Sequence, residues 1–224
     1  MSEALHQIRF PNEGSAYRTA RNALLEAELG LRRQIEKVAA LRRGLPPGGE
    51  VPEDYVFDGD DGPVRLSDLF GDKDTLIVYS YMYGPKMEAP CPACTSILDG
   101  IDASVQHVLP RAAVVAVARS PMTRIRAFAD GRGWKQLRLL SSADNSYHAD
   151  YHGEKTDGGQ IPALNVFTRR DGRIRHFWST ELLYAPADPG QHGRHVDMIW
   201  PLWNLLDMTP EGRGEKTHPK LRYD

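Results

Sequence analysis

The sequence holds almost no cysteine: Cys91 and Cys94 are the only two in 224 residues. That scarcity excludes the disulfide scaffold on which small secreted domains rely, and a chain this long buries an adequate core without one. Charge of one sign is also lacking. Lys and Arg number 28 against 30 Asp and Glu, a formal net charge of -2, which gives no electrostatic basis for binding nucleic acid or an anionic membrane surface. Long apolar runs are missing as well. The most apolar windows, residues 76–83 and 112–118, are strand-sized and fall well short of the roughly 20 residues that cross a bilayer. The first 14 residues, carrying Glu3, His6, Arg9 and Glu13, contain no leader-like stretch. We expect a cytoplasmic protein whose partners are small molecules or other proteins. In that reducing setting, two thiols separated by two residues serve catalysis or metal binding rather than architecture.

What is present divides into three parts: an amphipathic helix and linker over residues 1–50, an α/β domain over 51–210, and a polar tail over 211–224. In the first part Tyr17, Ala20, Leu24, Ala27, Leu31, Ile35 and Val38 recur in steps of three and four, which places them on one face of a helix over residues 16–43. That stripe needs a surface to cover it, on its own domain or on a second subunit in a homodimer. Gly44 and the run Pro46-Pro47-Gly48-Gly49 stop the helix and form a linker.

The pattern then changes to short strands. Residues 55–57 and 64–66 flank the turn-rich segment 58–62, as in a small hairpin. Residues 76–81 are almost continuously apolar or aromatic, the mark of a central strand buried on both faces. A loop over 84–90 delivers Cys91. Beyond it Ile97, Leu98, Ile101, Val105 and Val108 have helical spacing, and Pro110 ends that helix. A second buried strand spans 112–118. Ser120-Pro121 reads as an N-cap and first helical residue, with Met122, Ile125, Phe128 and Ala129 facing inward and Gly131 closing the helix. Strand, helix, strand, helix is the order of a parallel sheet. A short strand over 137–140 follows, and then 164–168 and 174–178 flank Arg170-Asp171-Gly172-Arg173 as an antiparallel hairpin, so the sheet is mixed. The Trp-rich segment 196–206 is a helical extension interrupted at Pro201, and the residues from Pro210 form a loose tail.

Cys91-Pro92-Ala93-Cys94 sits where a helix begins. Unpaired backbone N–H groups and the positive end of the helix dipole favour a thiolate there, and Cys91 gains most. Pro92 suits the first turn because its missing N–H has no helical partner. Cys94 lies on the inward stripe through Leu98 and Ile101, whereas Cys91, three residues earlier, is nearer solvent. An exposed nucleophilic thiolate backed by a sheltered resolving thiol is what exchange through a mixed disulfide requires. A zinc site is the competing reading, but with no second cysteine pair it would have to recruit histidines. Ile161-Pro162-Ala163 precedes the hairpin, and a proline there is compatible with a cis bond.

A strand leading into C-x-x-C on a helix, a further strand and helix, and Ile161-Pro162-Ala163 opening a hairpin together resemble the thioredoxin fold, in which a cis-proline lies beside the redox pair. More specifically, Leu66-Ser67-Asp68-Leu69-Phe70, Met82-Tyr83-Gly84-Pro85, Cys91-Pro92-Ala93-Cys94, Ala118-Arg119-Ser120-Pro121, Gly133-Trp134 and the segment 203–210 resemble a bacterial thioredoxin-like family of unknown function, whose members are predicted dithiol-disulfide oxidoreductases. The resemblance implies an α/β, thioredoxin-like mixed sheet flanked by helices, with a long N-terminal helix and a C-terminal helical extension. It implies Cys91 as nucleophile, Cys94 as resolving thiol and Pro162 beside them, with Ile161, Tyr83 and Pro92 contacting substrate and no cofactor. The substrate is then a disulfide-containing protein or a small thiol compound, and a reductase or low-molecular-weight thiol donates electrons.

The chain departs from its relatives at several points. Pro-Ala separates the cysteines where thioredoxin has Gly-Pro, and no tryptophan precedes Cys91. The strand over 76–81 lacks the buried carboxylate that moves protons in thioredoxin-like reductases, which leaves Glu88 in the loop as the nearest replacement. Gly84 and Glu88 stand where the peroxiredoxin branch has proline and threonine, which makes a peroxidase the weaker alternative. A metal-binding or metallochaperone module using Cys91, Cys94 and histidines is the main alternative. Asp144, His148 and His152, or His192, His195 and Asp197, are further metal candidates.

Overall fold

The computed structural model describes residues 6–189, 194–214 and 218–223. It separates into two compact units, Met1–Pro46 and Pro47–Asp224. The first is built around α1 (Ser15–Arg43), which Gly44 ends. Tyr17, Leu24, Leu31, Ile35 and Leu41 are each more than half exposed along it. Ahead of α1, Glu13 pairs with Arg18 through both carboxylate oxygens.

The second unit is a seven-stranded mixed sheet in the order β2-β1-β5-β4-β3-β6-β7. Its strands are β1 (Val56–Gly59), β2 (Gly62–Arg65), β3 (Thr75–Tyr81), β4 (Ala113–Ala118), β5 (Arg138–Ser141), β6 (Ala163–Arg170) and β7 (Arg173–Ser179). β3, β4 and β5 run parallel, whereas β1, β2, β6 and β7 join antiparallel. This is the thioredoxin-like mixed sheet expected from the motif order. Its helices are α2 (Leu66–Leu69), α3 (Pro92–Ser104), α4 (Met122–Arg132), α5 (Tyr147–Asp150) and α6 (Pro201–Leu206).

Period-two alternation along the central strands divides the core in two. Tyr79, Tyr81, Ala116 and Leu139 pack with Cys94, Ile97, Leu98, Ile125 and Trp134, mostly from α3 and α4. Leu76, Val78, Val115, Val117 and Phe167 pack on the opposite face against Tyr55, Phe57, Leu66, Phe70 and Tyr147. The C-terminal extension is helical, a 3-10 turn over Asp197–Ile199 followed by α6 with Pro201 in its first turn, and it contacts α3.

Four local expectations need correction. α4 runs through Gly131 and ends at Gly133, whose φ of 85° lets its N–H and that of Trp134 return to the Ala129 carbonyl. Ser120 caps nothing: it is fully buried, with its hydroxyl on the Gly84 carbonyl and its N–H on the Tyr83 carbonyl. The second half of the linker is docked, because His176 N–H donates to Gly49 O at 2.9 Å and Val51 N–H to Ile174 O at 3.0 Å, which covers the outer edge of β7. The tail is not loose either. Arg213 is buried over Trp203 and bridges Asp197 and Asp207, Pro219 is buried, and Leu221 O accepts from Arg132 at 2.7 Å. Polar composition suggested solvation at Arg213, but two carboxylates compensate its charge inside the fold.

Candidate active site

β3 carries the chain into the core and ends at Tyr81, and the loop over 82–91 returns to place Cys91 at the start of α3. Cys91 N–H donates to Met82 O at 3.0 Å, which closes the loop. From α4, Arg124 donates to Pro85 O at 3.1 Å and Met87 O at 2.6 Å and sits 4.8 Å over the Tyr83 ring, so the loop is pinned from outside. Thr95 holds it from inside. Its N–H and its hydroxyl each donate to Cys91 O at 2.9 Å, and Tyr81 Oη lies 2.9 Å from the same hydroxyl.

Cys91 has extended geometry as N-cap, Pro92 opens the helix, and both cysteines are free thiols. Cys91 is half-buried and Cys94 is 2% exposed, in the order expected from the stripe. The side chain of Cys94 is the largest influence on Cys91 and lowers its pKa. Burial opposes the shift, while the N–H groups of Cys94 and Ala93 and the charge of His218 reinforce it, and the result is about 6. Cys91 closes no full side-chain capping bond. Its charged form is favoured because these dipoles converge on the sulfur. Cys94 moves the other way, held well above the usual thiol range first by Cys91 and then by burial, with Tyr79 and the Met82 backbone working against the rise.

The proline side of the site follows from register. Ser80 pairs with Ala163 and Tyr79 with Leu164, so Pro162 stands immediately before the last paired residue, at the end of β3 from which the chain runs on to Cys91. The approach of the two segments is tight, since a Cβ on Gly84 would lie 3.0 Å from Gln160 Cγ. No peptide bond among the described residues is cis, so the bond before Pro162, whose isomer the sequence leaves open, is trans. Ile161 N–H on Gly153 O at 2.9 Å holds this extended approach. Ile161 also lines an open hollow of about 500 Å³ with His152, Glu154, Lys155 and Tyr184. Tyr83 is 5% exposed and packs edge-on against Phe128, so its ring belongs to the core rather than to a substrate wall. Trp178 and Trp200 likewise pack against the core, Trp200 with its indole N–H on Ser96 Oγ at 3.2 Å.

The histidine candidates do not converge. His148 is 1% exposed with Nδ1 2.6 Å from Ser142 Oγ, whereas His152 is exposed with a φ of 55°, so the two do not share one helical face. Asp144 is exposed. Asp197 is held by Arg194 and Arg213, and His192 lies outside the described residues. Among the described residues no group of three or more His, Cys, Asp and Glu side chains is placed to hold a metal ion. Glu88 is exposed, so it does not take the place of a buried carboxylate. Sequence reasoning missed two groups at the cysteines. Tyr79 reads as core in an apolar strand, although its alternation with Tyr81 points it to the α3 face, and His218, whose charge helps lower the Cys91 pKa, lies in a segment whose sequence carries no signal.

No helix among the described residues is long and apolar enough to cross a membrane. No match was found among curated proteins. Among solved structures, the chain is similar to peroxidoxin BcpB from Mycobacterium tuberculosis, with 18% identity over 70% of this chain and 95% of that one and a TM-score of 0.48. It is similar to thioredoxin peroxidase I of Plasmodium yoelii, with 19% identity over 80% and 99% and a TM-score of 0.46. A third likeness is to the exposed lipoprotein thioredoxin of Streptococcus pneumoniae, with 15% identity over 67% and 99% and a TM-score of 0.43. Residues 7–223 match the sequence model of DUF899, described as a bacterial protein of unknown function, and the chain belongs to that family.

Proposed function

We propose that this protein is a thiol-disulfide oxidoreductase acting through Cys91 and Cys94. The observation that carries the reading is the opposed pair of environments, a half-buried Cys91 favoured as thiolate at a helix start and a buried Cys94 that keeps its proton. The Cys91 thiolate attacks a substrate disulfide, forms a mixed disulfide and releases one thiolate, which takes a proton from solvent. Cys94 then loses its proton and attacks Cys91 Sγ. The second substrate thiolate leaves, two electrons have passed to the substrate, and Cys91 and Cys94 are joined. A reductase or low-molecular-weight thiol restores the dithiol in a reducing cytoplasm.

Ile161, Pro162 and Pro92 form the edge that a disulfide-containing protein or small disulfide meets, whereas Tyr83 supports the loop from below. A metal-binding role has less support, because among the described residues no third ligand accompanies the cysteines. A peroxidase role has less support because Gly84 and Glu88 occupy the positions of a proline and a threonine hydroxyl. The potential falls within the range of about -270 to -120 mV that such dithiols span.

Capture tests the reading. Cys94→Ser protein mixed with oxidised glutathione accumulates one glutathione on Cys91, and Cys91→Ser protein accumulates none. If Cys91 forms no mixed disulfide and the parent shows no reversible two-electron oxidation, the reading is wrong.

A further inference from the structure

Resolution of the mixed disulfide makes a demand that the resting dithiol does not. Before substrate arrives, Cys94 keeps its proton because of Cys91 and burial. Once Cys91 is bonded to substrate its negative charge is gone, and Cys94 must become a thiolate at a position 2% exposed. An uncompensated charge there is costly, and β3 offers no carboxylate to take the proton. Two groups at Cys94 favour its ionised form, the backbone of Met82 and the hydroxyl of Tyr79.

Tyr79 is 1% exposed in the same core layer as Cys94. Its hydroxyl closes no full hydrogen bond in the dithiol state, and after burial its strongest interaction is with the Cys94 thiol. Leaving a buried hydroxyl unpaired is expensive, and such a group in a native fold calls for an explanation. Tyr81, the next residue on the same face of β3, has its hydroxyl on Thr95 at 2.9 Å. The contrast singles out Tyr79 as a donor held in reserve.

We propose that Tyr79 is the hydrogen-bond donor to the Cys94 thiolate in the resolving step. This rests on the oxidoreductase reading and adds a third reacting-site group to it. Burial and the two cysteine sulfurs hold the phenol well above its ordinary pKa, so it stays protonated and donates without giving up its proton. Cys94 gives its proton to solvent as it becomes the thiolate, and the substrate thiolate released by its attack takes one up from solvent. The Cys91–substrate S–S bond breaks as the Cys91–Cys94 bond forms, and the Tyr79 hydroxyl retains its hydrogen throughout.

The test separates attack from resolution in the full chain. Parent, Tyr79→Phe and Tyr147→Phe proteins are reduced, mixed with oxidised glutathione, quenched in acid at intervals and weighed by mass spectrometry. Tyr79→Phe keeps the ring and its packing. It should form the glutathione adduct at the parental rate and resolve it more slowly, by about ten- to hundredfold, the worth of one hydrogen bond to a charged group. Tyr147→Phe, which removes a buried hydroxyl from the opposite core layer, should not accumulate the adduct. Parental resolution in Tyr79→Phe, or equal slowing of attack and resolution, overturns the proposal. If oxidised glutathione does not oxidise the parent and Cys94→Ser protein forms no adduct, the oxidoreductase reading falls and this inference with it.

Discussion

Cys91 and Cys94 act on each other with opposite sign. The side chain of Cys94 is the largest influence lowering the Cys91 pKa to about 6, and Cys91 is the largest influence raising that of Cys94. One interaction therefore sorts two identical side chains into a nucleophile and a reserve thiol. Helix position decides which is which, because only Cys91 stands outside the first turn with N–H groups turned toward its sulfur.

Removing Cys94 should make Cys91 a poorer nucleophile at neutral pH. In Cys94→Ala the largest stabilising influence is gone while Ala93 N–H remains. The pH midpoint of Cys91 alkylation should rise by roughly one to two units, the equivalent of one hydrogen bond to a charged group. Alkylation rate against pH measures it, and an unchanged midpoint would assign the depression to the helix start alone.

His148 should make the fold acid-sensitive. Burial, aided by the charge of Arg119, lowers its pKa to about 3, so the folded chain holds it neutral while the unfolded chain protonates it near 6.5. Between those values the unfolded state binds more protons, and stability is lost as pH falls from about 6.5 toward 3, with a slope approaching 1.4 kcal/mol per pH unit. Urea midpoints of the parent and His148→Asn across that window check the sign. The parent should show the steeper loss.

Gly48 and Gly49 should respond differently to alanine. A Cβ at Gly48 would fall 1.8 Å from His176 O, whereas one at Gly49 meets nothing within 4 Å. Gly48→Ala must push the docked segment off the edge of β7 and should cost about 1–3 kcal/mol. Gly49→Ala should stay within about 0.5 kcal/mol of the parent. Denaturant unfolding of both variants measures the difference.

These cases show which parts of the fold were legible in the sequence. The β6–β7 hairpin was readable because Asp171 and Gly172 both adopt positive φ, at 52° and 71°, and those residue types tolerate it. The helix start at Cys91 was readable because Pro92 fits only the first turn. The end of α4 was misread by two residues because Gly131 and Gly133 look alike until the chain shows which has a φ of 85°. Arg213 and Pro219 looked solvated because what covers them, Trp203 and Asp197 for Arg213 and the packed domain for Pro219, is brought there by tertiary packing, although Asp207 is only six residues from Arg213. Tyr79 escaped notice for the same reason: what its hydroxyl faces is set by the packing of α3 on β3, which no local pattern encodes.

The most direct test of the central claim is the rate of alkylation of each cysteine as a function of pH in the reduced protein, read by peptide mass. Cys91 alone should react at neutral pH, with its rate rising through a midpoint near 6, while Cys94 stays unmodified. A Cys91 midpoint near the free-thiol value of about 8.5, or modification of both cysteines together, would contradict the account.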